Sequence, residues 1–206
     1  MSPEAHLASV CPGMAALIPL GPDIRLSPEP KREPFEALVR SVVFQQLSGK
    51  AANTILNRVL ALFPGEEFPQ PTTLLAADPE ALRGAGLSRQ KIAAVRDVAQ
   101  KRLDGIIPPL GELDDLSDAE IISRLTQARG VGRWTVEMYL IFTLARPDVL
   151  PIDDLGVRRG AEVTFARSFT PKELAAYGQI WAPWRSLASL HLWAASDRAK
   201  PGGRPD

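Results

Sequence analysis

The chain has 206 residues, 45% of them apolar, which suits one compact domain or two small helical lobes. Lysine plus arginine number 24 and aspartate plus glutamate 24, a balance that excludes binding by broad electrostatic attraction but leaves room for a local anion site. The single cysteine, Cys11, excludes an intramolecular disulfide and a four-thiolate zinc or iron–sulfur centre, and His6 and His191 are too far apart in sequence to suggest a metal pair. No apolar run approaches the roughly 20 residues of a membrane span. The N-terminus lacks the basic segment of a signal peptide. A cytoplasmic location and no membrane partner are expected, and nothing demands more than a monomer.

Helical periodicity starts after Pro34. Phe35, Leu38, Val39, Val42 and Val43 predict a helix over 35–47, and Ala52, Ile55, Leu56, Val59 and Phe63 one over 51–63. Between them, Gln45-Gln46-Leu47-Ser48-Gly49 reads as a helix end followed by a glycine turn. Asp78-Pro79 predicts an N-cap with proline in the first turn, and Gly84 and Gly86 stop that short helix. Ser88 opens the next, carrying Ile92, Val95, Val98 and Leu103. Pro108-Pro109 and Gly111 make a linker. Ser117 with Glu120, and Thr170 with Glu173, form capping boxes. Helices are expected over about 118–126, 133–145, 155–166, 171–180 and 184–196. No stretch alternates with period two for long enough to make a sheet, so the fold class is all-α. The tail from Lys200 (200–206) is rich in proline and glycine and is expected to be mobile.

Two features carry chemistry. The first is Gly130-Val131-Gly132-Arg133-Trp134-Thr135, a glycine hairpin between two helices. Glycine permits positive φ and close backbone approach. The helix that follows opens with unpaired N–H groups and the positive end of its dipole, which favour a phosphate. Carbonyls around such a turn, those of Thr126, Arg129 and Val131, can also converge on a monovalent cation. An ordinary helix–helix turn is the alternative. Residues 81–96 echo the pattern weakly. Arginines gather near the hairpin (Arg124, Arg129, Arg133) and after the second feature (Arg158, Arg159).

The second feature is Asp153-Asp154. A carboxylate fixed in a dry site can stabilise the positive charge that develops on a sugar as its glycosidic bond breaks. It can also orient the attacking water or take its proton. Residue chemistry alone leaves open that both aspartates only cap the following helix.

With Gly130-Val-Gly-Arg-Trp-Thr, Asp154-Leu-Gly-Val-Arg-Arg, and Pro183-Trp184-Arg185-Ser186 followed by His191-Leu192-Trp193, the chain resembles the helix-hairpin-helix superfamily of DNA glycosylases. It is most similar to the 3-methyladenine DNA glycosylase II (AlkA-type) branch, from about Phe35 to Trp193. The segment before Pro34 is too short for the N-terminal α/β domain of some members. The resemblance therefore implies a minimal two-lobed helical form. One lobe spans about 35–110 with a DNA wedge. The other combines about 1–34 and 111–206, with hairpin and catalytic aspartate.

The resemblance implies a monofunctional glycosylase of base excision repair. Its substrate is double-stranded DNA carrying alkylated bases, from which it removes N3- or N7-methylated purines and leaves an abasic site. Asp154 aligns with the catalytic aspartate, leaving Asp153 as the helix cap. Lyase-competent relatives carry a lysine where this chain has Trp134, so no Schiff base is expected. Leu47, with Gln46 beside it, aligns with the side chain that fills the gap left by a flipped base; continuation of the apolar helix face is the alternative. Trp134 and Trp193 match pocket tryptophans able to stack on a cationic ring, with Arg185, Phe44 and Tyr139 as further pocket candidates. A structural salt bridge is the alternative for Arg185, and Trp181 and Trp184 read as core. No cofactor is implied as required, and a structural Na+ or K+ at the hairpin is the one ion suggested. Members with another lesion specificity, or a non-catalytic DNA-binding module, are the competing readings.

Overall fold

The computed structural model describes residues 1–21, 24–26 and 32–199; the tail from Lys200 lies outside them. Among the described residues there are helices and turns but no strand. The chain opens with α1 (Pro3–Val10) and α2 (Pro12–Leu17), then a 3-10 turn at Ile18–Leu20. It continues through α3 (Pro34–Phe44), α4 (Gly49–Leu60), α5 (Pro71–Ala76), α6 (Pro79–Gly84) and α7 (Arg89–Leu103). After a 3-10 turn at Leu110–Glu112 come α8 (Asp118–Leu125) and α9 (Arg133–Met138), the latter running into a π turn at Tyr139–Thr143. The last helices are α10 (Leu155–Phe165), α11 (Pro171–Tyr177) and α12 (Arg185–Arg198). No described helix is long and apolar enough to cross a membrane.

The starts follow from local chemistry. Ser48, Ser88, Ser117 and Thr170 each accept a bond from an N–H of the first turn, and both expected capping boxes form. Proline opens α1, α2, α3, α5, α6 and α11, where its missing N–H costs nothing. Helices α1, α2 and α5 are absent from the sequence reading because none spans enough turns to show a clear apolar period.

Two expectations near Leu47 change. Helix α3 ends at Phe44, three residues early, because Lys91 on α7 donates to the carbonyls of Val43 (2.7 Å) and Gln45 (2.8 Å) and so closes the helix end. Gly49 is not in a turn; Ser48 caps and Gly49 begins α4. The sharp bend falls instead at Gln46, whose φ is 58°. Burial pushes the Lys91 ammonium below its ordinary value.

The described chain forms two compact units, one from residues 1–30 and 137–206, the other from residues 31–136. The hairpin thus belongs with Leu47, not with Asp154 as expected. The reason is local: Asp97 of α7 accepts the Arg129 N–H at 2.7 Å, and the Gln45 side chain donates to the Gly130 carbonyl at 2.8 Å. In this unit α7 is central, with α3, α5 and α6 packed against it.

The core of the other unit gathers Leu7, Met14 and Leu17 from the first two helices with Val157, Ala161, Trp181, Leu187 and Leu192. The N-terminal helices therefore complete this core. Helices α10 and α12 make the closest pairing, and Gly160 makes it possible: a Cβ there would collide with the Leu192 carbonyl. Trp181 is fully buried and stacks on Phe165 at 6.1 Å, which bears out its reading as core.

Candidate active site

Asp154, not Asp153, caps α10. Its Oδ1 accepts the Val157 N–H at 2.8 Å, while Asp153 is exposed. The assignment of the cap to Asp153 is therefore corrected, and capping and catalysis are no longer alternatives divided between two residues. The same Oδ1 also accepts the Trp193 indole Nε1–H at 2.8 Å. Two donors on one oxygen fix the carboxylate plane. Gly156 makes the approach possible, since a Cβ there would sit 2.7 Å from Trp193 Cδ1 and 3.1 Å from Asp154 Oδ1. Phe142 also stacks on the indole, at 5.6 Å and 27°. Phe142 lies in the π turn and is 38% exposed. Widened turns of this kind recur at functional sites.

The Pro-Trp-Arg-Ser motif acts on the loop that leads to Asp154. Arg185 forms a two-pronged pair with Asp148, Nε to Oδ1 at 2.7 Å and Nη2 to Oδ2 at 2.9 Å, and its backbone N–H reaches Oδ1 at 3.3 Å. The hydrogen bond from Arg185 holds the Asp148 carboxyl below its ordinary value, against the opposing effect of burial. Ser186 receives the Val149 N–H at 2.9 Å and donates to the Arg146 carbonyl at 2.6 Å. Residues 146–149 are thus clamped to the start of α12. Arg185 takes the salt-bridge alternative. Tyr139 is 5% exposed and begins the π turn.

In the other unit, Gly130 adopts φ 77°, and a Cβ there would meet Ala94 at 3.2 Å, so glycine is required. Gly132 meets nothing within 4 Å; its missing side chain leaves the turn open to an approaching group. Val131 and Thr135 are buried beneath the turn, whereas Arg133 is exposed and Trp134 is 47% exposed. The Arg-Gly-x-Gly echo around Gly84 and Gly86 does turn between two helices, but its positive φ (113°) falls on its second glycine, not its first. Leu47 stands off the end of α3, 39% exposed, so it does not continue that helix's apolar face. Gln46 is exposed and Phe44 half-buried.

A family model for "HhH-GPD superfamily base excision DNA repair protein" matches residues 39–186, which include Leu47, the hairpin, Asp154 and Arg185. The chain belongs to the HhH-GPD superfamily. Within it, the chain is 39% identical over 204 residues to DNA-3-methyladenine glycosylase 1 of Schizosaccharomyces pombe, covering 96% of this chain and 90% of that protein. The solved structure of a 3-methyladenine DNA glycosylase from that yeast, in complex with abasic DNA, superposes with a TM-score of 0.81 at 38% identity, covering 94% and 95% of the two chains. A DNA-3-methyladenine glycosidase from Bacillus halodurans gives 0.84 at 36% identity, covering 95% and 89%. The all-helical HhH-GPD fold expected from the sequence is therefore the fold observed.

Sequence reasoning named Asp154, Trp193 and the hairpin as candidates. It missed Phe142, Gly156, Asp148, Gln45 and Lys91. Each matters through a contact made across the fold, even where, as for Gly156 and Gln45, it lies inside a stretch that the sequence singles out.

Proposed function

We propose that this chain is a monofunctional DNA glycosylase that removes alkylated bases from double-stranded DNA, working as a monomer in the cytoplasmic compartment that holds the DNA. The observation that carries the reading is the Asp154 carboxylate, oriented through one oxygen by Val157 N–H and Trp193 Nε1–H, in a chain whose relatives are named 3-methyladenine glycosylases.

In this reading the hairpin amides of Gly130–Thr135 and Arg133 grip a backbone phosphate. Leu47, flanked by Gln46, enters the stack as the damaged nucleotide leaves it. The cationic methylated ring lies against Trp193, with Tyr139 as a further wall. As the bond from C1′ to the base nitrogen lengthens, positive charge spreads over the sugar ring, and the fixed Asp154 carboxylate stabilises it. The bonding electrons leave with the base, whose formal charge is thereby neutralised. Water then adds at C1′, its proton passing to Asp154 or solvent. Trp134 offers no amine where a lyase needs one, so the product is an intact abasic site. The backbone carbonyls of Thr126, Arg129 and Val131, on the tight turn at Gly130, are the proposed holders of a Na+ or K+ that would neutralise phosphate charge; no step passes through it.

The test is incubation with methylated duplex DNA, with free bases read by chromatography. Release of 3-methyladenine or 7-methylguanine supports the reading. Release only of oxidised or mismatched bases from matched substrates, or a covalent adduct trapped by borohydride, contradicts it.

A further inference from the structure

A second cationic site lies in the unit of residues 31–136. A cleft of about 590 Å³ is lined by Arg83, Arg89, Arg96 and Arg129, with Glu80 and Asp97 as its acids. The four guanidinium groups outnumber the two carboxylates in a chain whose total charge is zero. Those carboxylates are partly committed: Asp97 Oδ2 holds the Arg129 backbone N–H at 2.7 Å, and Glu80 reaches Arg83 only at 3.9 Å. Arg96 donates to the Ala77 carbonyl at 3.1 Å, which pins its head group at the cleft wall. Arg89 and Arg129 are exposed and have no ion-pair partner among the described residues.

We propose that this cleft is a second phosphate-binding site for the backbone of duplex DNA, distinct from the hairpin amides. Arginine forks match phosphate oxygens in pairs, and two unpartnered forks facing one cavity leave a demand for an anion. The lining contains no aromatic side chain on which a free nucleotide's base could stack, which favours a sugar–phosphate chain over a mononucleotide. Arg129 links the cleft to the hairpin: it lines the cleft, and the next residue, Gly130, is the hairpin's turning point. The inference rests on the reading that the protein binds duplex DNA.

The test is the salt dependence of affinity for an undamaged duplex, read by fluorescence anisotropy. It compares wild type, Arg83→Gln/Arg89→Gln and a control, Arg58→Gln, an exposed position on α4 outside the cleft. Removing one arginine–phosphate pairing should flatten the slope of log K against log salt by about 0.9, so the slope of the double variant should be shallower by about two units, with weaker binding at low salt. The control should match wild type. Arg89→Glu, at an exposed position that no fold contact requires, should weaken binding further. Wild-type slope and affinity in both cleft variants would overturn the proposal. So would a cleft that loses binding of inorganic phosphate or dAMP while duplex affinity stays unchanged. A wild-type protein that binds duplex with this slope but releases no alkylated base would leave the cleft standing and defeat the proposed reaction instead.

Discussion

One oxygen of Asp154 answers to two elements. Val157 N–H belongs to its own helix, and Trp193 Nε1–H comes from α12. Removing the second donor while keeping an aromatic ring isolates orientation from packing. Trp193→Phe should fold normally and slow base release about tenfold or more, the scale of a missing hydrogen bond to a charged group; single-turnover kinetics would show it, and an unchanged rate would mean that the indole serves only as a wall. Much of this was legible beforehand, because a carboxylate one helical length after a glycine hairpin is a sequence feature. What could not be read was which aspartate caps the helix. Adjacent acids before a helix satisfy the capping pattern equally, and only the backbone conformation chooses between them. Phe142 was equally silent, since a phenylalanine in an apolar run looks like core until a π turn rotates it onto Trp193.

At the scale of elements, two contacts set the geometry. The first is the approach of α10 to α12 at Gly160. Gly160→Ala should push the helices apart and lower stability by about 1–3 kcal/mol, measurable as a shift in denaturant midpoint, because overpacking forces backbone movement. A midpoint equal to wild type would show that the pairing is looser than drawn. The second is the brace beside the loop that carries Leu47, where Lys91 holds two carbonyls and Gln45 reaches Gly130. Lys91→Met should reduce activity about tenfold or more on fully paired duplex, with a smaller loss on DNA already distorted at the lesion, since a misplaced wedge matters most where a base must be forced out. Equal losses on both substrates would assign Lys91 to general stability. Apolar spacing foretold most of the long helices. It overran α3 because the lysine that stops the helix lies on α7, beyond the reach of any local pattern.

For the whole molecule, the informative titration is that of His191. Burial pushes its imidazole below the ordinary value of 6.5; Arg198 adds to this and Glu4 opposes it. Its Nε2 is buried without a hydrogen-bond partner among the described residues, so protonation would strand a donor. The unfolded chain therefore binds the proton more readily than the folded one. Stability from this group is fully present above pH 6.5 and is lost as the pH falls through that value toward the folded pKa. The Asp148 effect lies lower, below its ordinary 3.8, so the interval from pH 7 to pH 5 reports on His191. Denaturant midpoints should fall across it for wild type and fall less for His191→Gln; the same drop in both would contradict the assignment. The division of the chain at residue 137 was not legible, because the hairpin's allegiance depends on Asp97 and Gln45, partners that no spacing rule connects to Gly130.

The account turns on a carboxylate acting on the sugar during bond cleavage, and Asp154→Asn tests this most directly. The measurement is the single-turnover rate of base release from a duplex containing one alkylated purine, made alongside the affinity for that duplex. The variant should bind with wild-type affinity and react about a hundredfold or more slowly, the cost of removing a preorganised charge from the transition state. A rate near that of wild type would contradict it.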